Sequence, residues 1–229
     1  MINYALQILI VINLYIILAV SLNLLVSYLG VISLSHAAFY GAGAYVYALL
    51  VTVFGWSFIP ALIGSVGITL ALSFLLSVST LRLRADYLIL TTLAFQLVSY
   101  DLLYNWVGLT NGPFGISGIP SPTIPAFTAT PTVNVSVLTT LFAVPAVLLT
   151  YRLVSSPFGR VLKAIREDEL MTKLLGKNTA RFKITCFCVA ASLAAVAGSL
   201  YSGFMRYIDP TSFTLNESVF ILSIVIIGG

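Results

Sequence analysis

The chain has 229 residues, of which 59% are apolar and only 8% charged, about a third of the ~25% usual in soluble domains. Mean hydropathy is +1.06, more apolar surface than a soluble domain of this size could hide from water. The eleven Lys/Arg behind the net charge of +4 are too few and too unevenly placed for a phosphate-binding face. A soluble enzyme and a nucleic-acid binder are therefore excluded, and the class is an integral membrane protein.

No Asp, Glu, Lys or Arg occurs from Met1 to Leu81. A membrane helix needs ~20 apolar residues, so this stretch can hold three crossings. The first, Tyr4–Val26, has no basic flank and is long enough to span, so it reads as a retained helix rather than a cleaved signal. The second, Val31–Val53, is rich in small and polar residues. The third, Phe58–Leu81, runs into Arg82 and Arg84, and the fourth is Tyr87–Val107. Residues 109–134 form an uncharged loop with five of the nine prolines. The fifth segment is Val135–Tyr151, residues 152–183 are the one strongly charged stretch, and the sixth segment is Ile184–Phe204. A polar link, Met205–Glu217, leads to Ser218–Gly229, whose 12 residues make ~18 Å of helix at 1.5 Å per residue, short of a ~30 Å hydrocarbon core. No period-2 alternation suggests a barrel. The expected fold is an all-α polytopic membrane protein forming a single transmembrane domain over 1–229. It has about six membrane helices plus a partial seventh, with the second segment either spanning or broken and re-entrant.

Placing Arg82, Arg84 and the 152–183 loop on one side gathers ten of the eleven Lys/Arg there, leaving Arg206 opposite. By the positive-inside bias that side is cytoplasmic, and Trp56 and Trp106 fall at the outer interface. The loop 109–134 is then extracytoplasmic and 152–183 cytoplasmic.

Two regions carry more than hydropathy. In segment two, Ser33, Ser35 and His36 cluster beside small residues Ala37, Gly41 and Gly43. Intramembrane polar groups face protein or a water-filled cavity, and small residues let helices approach closely. Either this is an interrupted, pathway-lining helix, or a tightly packed one with its hydroxyls bonded locally and His36 satisfied by a neighbour. In the charged stretch, Ser156 can cap a helix with Pro157 at its first position. Phe158, Val161, Leu162 and Ile165 then share one face. The triplet Glu167, Asp168 and Glu169 interrupts the stripe. Leu170, Met171, Leu174 and Leu175 lie on a different face, and Gly176 offers a stop. Two short amphipathic turns facing different ways fit best. They suit a soluble partner better than anionic lipid, whose head groups the acidic triplet would repel.

Cys186 and Cys188, two apart on one helix, point to different sides and read as core residues. No phosphate-binding Gly-rich loop, HExxH, GxSxG or paired-carboxylate arrangement occurs in a credible context, so the chain carries no evident catalytic chemistry. His36 has two readings, a proton relay or a packed role near a gate. Asp101, toward the outer end of segment four, either faces a path or reaches the interface. Thr91, Thr92 and Gln96 line a polar path or bond between helices.

Four ordered blocks resemble the permeases of branched-chain amino-acid ABC importers, the LivM-like family. They are Leu22–Val26 running into Ser33–Tyr45, Leu81–Tyr87 with Thr91–Phe95, Thr110–Pro120, and Ser156–Arg160 leading to Ala164–Glu169 and Gly176. The match departs at Tyr28–Val31 and Ser35, where relatives often carry a Thr-Gly turn and a Gly. Relatives also usually continue past Ile227-Gly228-Gly229, so the chain is expected to be truncated at its C-terminus.

The resemblance implies a permease subunit, not an enzyme, of an ATP-driven importer in a bacterial-type inner membrane. It would carry branched-chain or other hydrophobic amino acids delivered by an extracytoplasmic binding protein. Implied partners are a second permease, two ATPases that hold ATP and Mg, the binding protein and membrane lipid. No cofactor is expected in this chain. Implied sites are a pathway at Ser33, Ser35, His36, Phe39, Thr91, Thr92 and Gln96, and ATPase coupling at Phe158, Arg160, Ile165, Arg166, Glu167, Asp168, Glu169 and Gly176. Binding-protein docking falls at Asn111, Gly112, Gly115 and Gly118. Urea, amides or another small solute remain alternative cargoes. An ion-coupled secondary transporter is the alternative from another class, though no inverted repeat is visible and Asp101 is the one acid inside a predicted span.

Overall fold

The computed structural model describes residues 2–80, 85–122 and 131–228. Arg82, Arg84 and residues 123–130 of the expected outer loop lie outside them. Helix α1 (Ile2–Asn23) continues into a wider π-helical turn, Leu24–Tyr28. Then come α2 (His36–Thr52), α3 (Phe58–Thr80), α4 (Ala85–Asn105) and the short α5 (Val107–Thr110). A 3-10 turn, Gly112–Phe114, precedes strand β1 (Ile116–Ser117). Helices α6 (Pro131–Ser155), α7 (Pro157–Glu167), α8 (Glu169–Leu174) and α9 (Thr179–Met205) follow. Strand β2 (Tyr207–Ile208), a 3-10 turn Pro210–Phe213 and α10 (Leu215–Gly228) complete the described chain.

Five stretches among the described residues are long and apolar enough to cross a membrane: Asn3–Tyr28, Phe58–Thr80, Tyr87–Asn105, Thr132–Ser155 and Thr179–Met205. Helix α2, at 17 residues, falls short of a ~30 Å core at ~1.5 Å per residue. The result is an all-α polytopic membrane protein. The second segment is broken: residues 29–35 are not helical, and α2 starts only at His36.

Helix α9 is the hub, packed against α2 and α3, with α1 beside it and α6 on α1. Its buried face is Ala190, Ala191, Ala194, Ala195, Ala197, Gly198, Ser199 and Ser202. In lipid, burying apolar surface drives little helix association, so close backbone approach and interhelical hydrogen bonds must do it. A methyl group on Gly198 would lie 2.1 Å from the Tyr40 carbonyl oxygen, so α2 and α9 meet nearly backbone to backbone. Ser65 of α3 joins them through a 2.7 Å hydroxyl contact with Ser199. Large side chains such as Ile63, Leu75 and Leu141 point outward, as a lipid solvent requires.

The two ends differ in chemistry. At one, β1 pairs antiparallel with β2 (Ile116 opposite Ile208) and Arg206 Nε donates to Ser121 Oγ at 2.6 Å. Trp56 and Trp106 are partly exposed. At the other, α7 and α8 form an elbow between α6 and α9, close to the end of α1. Apart from Arg206, the Lys and Arg of the described residues lie from Arg152 to Lys183, in and around that elbow. The elbow end therefore carries the positive charge.

Candidate functional site

Helix α1 ends with Val31 N–H donating to Leu25 O at 2.9 Å and Gly30 at φ +75°. The chain then doubles back. His36 lies eight residues beyond Tyr28, yet its Nε2 is 2.7 Å from the Oγ of Ser21, seven residues before Tyr28. Ser21 donates its single hydroxyl proton to Leu18 O at 2.8 Å, which leaves its oxygen to accept from a protonated Nε2. Helix α2 therefore begins inside the protein, well above the end of α1.

A helix start at that depth leaves backbone donors with no water to meet. Neighbouring elements supply the acceptors. Leu34 N–H donates to Thr92 Oγ1 (3.2 Å), Ala37 N–H to Ser218 Oγ (2.9 Å) and Ala38 N–H to Gln96 Oε1 (2.7 Å). Ser33 and Ser35 share a 3.0 Å hydroxyl contact. Ser218 belongs to a second break. After β2 the chain turns inward, and α10 starts beside α2, with Gln96 Nε2 donating to Phe213 O at 2.9 Å and Ser218 Oγ donating to Gln96 Oε1 at 3.2 Å. Helix α10 then runs beside Ala19 to Asn23 of α1 toward the elbow end. One amide, fully buried, thus ties two helices whose first turns meet.

Of the expected pathway residues, Ser33, Ser35, His36, Thr92 and Gln96 gather at this double break. Phe39 packs one turn above, against Phe95 and Phe187 at 5.5 and 5.7 Å between ring centres. Thr91 stands apart, its hydroxyl bonded back to Tyr87 O at 2.7 Å. Sequence reading misses Ser21, Phe213, Glu217 and Ser218. Their signal is faint: single polar residues in an apolar run, and the Pro210 turn just before α10.

The elbow is built from caps. Ser156 Oγ accepts from Phe158 N–H (3.2 Å), Asp168 Oδ1 from Met171 N–H (3.0 Å) and Asn178 Oδ1 from Arg181 N–H (3.2 Å). Helix α7 buries Leu162 and Ile165, and Phe158 stacks on Phe182. The Arg166 guanidinium donates to the Ser27 carbonyl at the end of α1, and its stem covers Gly30, where a Cβ would clash with its Cγ. Lys163 sits over the Tyr28 ring at 5.5 Å. Glu169 pairs with Lys183 of α9 (2.6 Å) and with Lys173 (3.0 Å), and accepts from Thr179 (3.1 Å). Burial alone would raise its pKa. The bonds from Lys183 and Lys173, the Lys183 charge and the Thr179 hydroxyl outweigh burial and hold the carboxyl below the ordinary value. Arg160 and Glu167 face solvent, and Gly176 turns the chain out of α8. Leu170, Met171, Leu174 and Leu175 are 58–80% exposed outside the membrane helices.

At the outer end Asn111 Nδ2 donates to Gly115 O at 3.0 Å, Gly112 lies against the Tyr104 carbonyl and Gly115 against the Ile208 backbone. Gly118 borders open space. These residues shape the loop, and the side chain they present is Phe114, 77% exposed. Asp101 is exposed near the same end, where Asn105 Nδ2 donates to its carbonyl. Cys186 is buried.

Discontinuous helices packed on a small-residue hub, with a capped elbow beneath, define the class of membrane permeases. The family model described as the permease component of branched-chain amino acid transport systems matches residues 4–229, so the chain belongs to that family. It is 35% identical to the high-affinity branched-chain amino acid transport system permease protein LivM of Escherichia coli K12, over 94% of this chain and 56% of that protein. It is 34% identical to the probable branched-chain amino acid transport permease protein LivM of Methanocaldococcus jannaschii, over 65% of this chain and 43% of that one. The E. coli K12 LivH permease is 26% identical over 86% of this chain and 68% of its own length. The chain thus spans about 56% of the length of the E. coli LivM it matches. No solved structure matches.

Proposed function

We propose that the chain is the membrane-spanning part of a permease subunit in an ATP-driven importer, passing branched-chain or other hydrophobic amino acids inward. The observation that carries this reading is the apolar face of α8. Four large side chains, on α8 and the residue after it, stand in solvent at the charged end of the molecule, in an elbow whose α7 is tied through Arg166 to the turn after α1 and whose α8 is tied through Glu169 to α9. Such a face suits a partner protein, and its anchors suit the passage of that partner's movement to the helices of the double break. The partner is an ATPase that holds ATP and Mg, one for this chain and one for a sister permease of the LivH kind. Phe114 and the Asn111–Gly118 turn then offer a contact for a binding protein outside, and the membrane is the bacterial-type inner membrane.

The test is uptake of radiolabelled leucine into proteoliposomes holding the full-length permease, its sister permease and both ATPases, with binding protein added outside and ATP sealed inside. Uptake is expected to need ATP and to persist when an ionophore collapses the proton gradient. Uptake that stops with the gradient while ATP remains would instead indicate an ion-coupled carrier.

A further inference from the structure

The carboxylate of Glu217 lies in the first turn of α10, where its Oε1 accepts a 2.8 Å hydrogen bond from the Tyr15 hydroxyl. Tyr15 is the thirteenth residue of the 26-residue apolar stretch Asn3–Tyr28, so the acid lies level with the interior of a candidate membrane span. Carboxylates at that depth are costly and rare, and they face a bundle interior or a watered path. Among the described residues Glu217 forms no ion pair; both ion pairs belong to Glu169.

Aromatic residues cluster nearby. Tyr15 meets Phe220 edge to face at 5.4 Å, and Tyr40 meets Tyr201 and Phe213 at 5.4 and 5.1 Å. The Tyr40 and Tyr201 hydroxyls lie within electrostatic reach of the Glu217 charge. The side chain is only partly buried, and it adjoins Ser218, which holds the first turn of α2. A carboxylate held by a tyrosine hydroxyl can bind an organic ammonium ion, supplying charge and hydrogen-bond acceptors.

Resting on the importer reading above, we propose that Glu217, oriented by Tyr15 and adjoining Ser218 at the start of α10, is an intramembrane site for the α-ammonium group of the amino acid in transit. It sits beside the junction of α2 and α10. A zwitterion would lose much of its hydration at this depth, and the acid replaces the water around its cationic end.

The experiment uses the complete importer in the proteoliposome assay. Glu217→Gln keeps the shape of the side chain and an acceptor for Tyr15 while removing the charge. Leucine uptake at saturating binding protein is expected to fall at least tenfold. ATP hydrolysis stimulated by the loaded binding protein stays within about twofold, and Glu217→Asp returns uptake to within about threefold of the parent. Tyr15→Phe, a mild change, costs about three- to tenfold because it only frees the carboxylate to rotate. Undiminished uptake in Glu217→Gln overturns the site and leaves the importer reading standing. Loss of the co-purifying sister permease in that variant also overturns it, by making the acid an assembly contact. A parent importer that moves no amino acid brings down the importer reading, and this site with it.

Discussion

The double break and the elbow are both built from irregular backbone and polar side chains, yet they balance their groups in opposite ways. In the break the exposed backbone donors at the start of α2 are matched within the protein by Thr92, Gln96 and Ser218. In the elbow the caps are also satisfied, but an entire apolar face is left in solvent. The difference follows from the surroundings. Inside a bilayer an unmatched N–H has no water to turn to, so irregular backbone persists only where neighbours complete it. Outside, exposed leucines cost less than an unpaired buried donor and can wait for a partner. One region is therefore a joint closed on itself, the other a surface made for contact.

The strongest way to break this comparison is to charge the elbow. Leu174→Glu combined with Leu175→Glu is expected to cut ATP-driven uptake at least a hundredfold and to release the ATPases on purification. The thermal midpoint of the permease in detergent should move by less than about 2 °C, because solvent-facing substitutions perturb folding little. A permease that unfolds instead would mean the α8 face is covered within the chain.

The break should respond the other way, through stability. Gln96→Leu leaves the Ala38 N–H, the Phe213 carbonyl and the Ser218 hydroxyl short of a partner, at about 1–3 kcal/mol for each buried group. A total near 3 kcal/mol corresponds to about 6–12 °C in thermal midpoint for a chain of this size. An unchanged midpoint would show that the amide does not tie α2 to α10.

A smaller effect sharpens the anchoring of the elbow. Glu169 is more than a third exposed, so solvent screens its pairs with Lys183 and Lys173 to about 0.5–1 kcal/mol. Its folded pKa lies below the ordinary value, so its contribution is complete above about pH 4.5 and is lost as pH falls through the folded value. Glu169→Gln should therefore melt about 1–3 °C below the parent at pH 7. The two curves should converge under acidic conditions, where the parent carboxyl is protonated too. A gap that widens on acidification would contradict the assignment.

The elbow is largely legible in the sequence. Ser156-Pro157, Asp168, Asn178 and Gly176 act through residues next to them in the chain, so local capping rules reach them. The contact of Arg166 is not legible there: its place against Ser27 joins residues 139 apart. The break is legible by half. Ser33, Ser35 and His36 stand out because hydroxyls and an imidazole are conspicuous among aliphatics. Nothing local shows that Ser218 and Gln96 meet Ala37 and Ala38, across 181 and 58 residues. Glu217 reads as the end of a polar link, since the inward turn of the chain after β2 leaves no mark on hydropathy.

Hydropathy, the absence of charge through residue 81 and the crowding of Lys and Arg into one stretch determined the class and nearly every crossing, because lipid sorts side chains residue by residue. The tertiary structure alone decided where α2 and α10 begin and which side chains complete their first turns. The acid beside Tyr15 was also its decision, because the partners that satisfy a broken backbone in a bilayer come from helices distant in sequence.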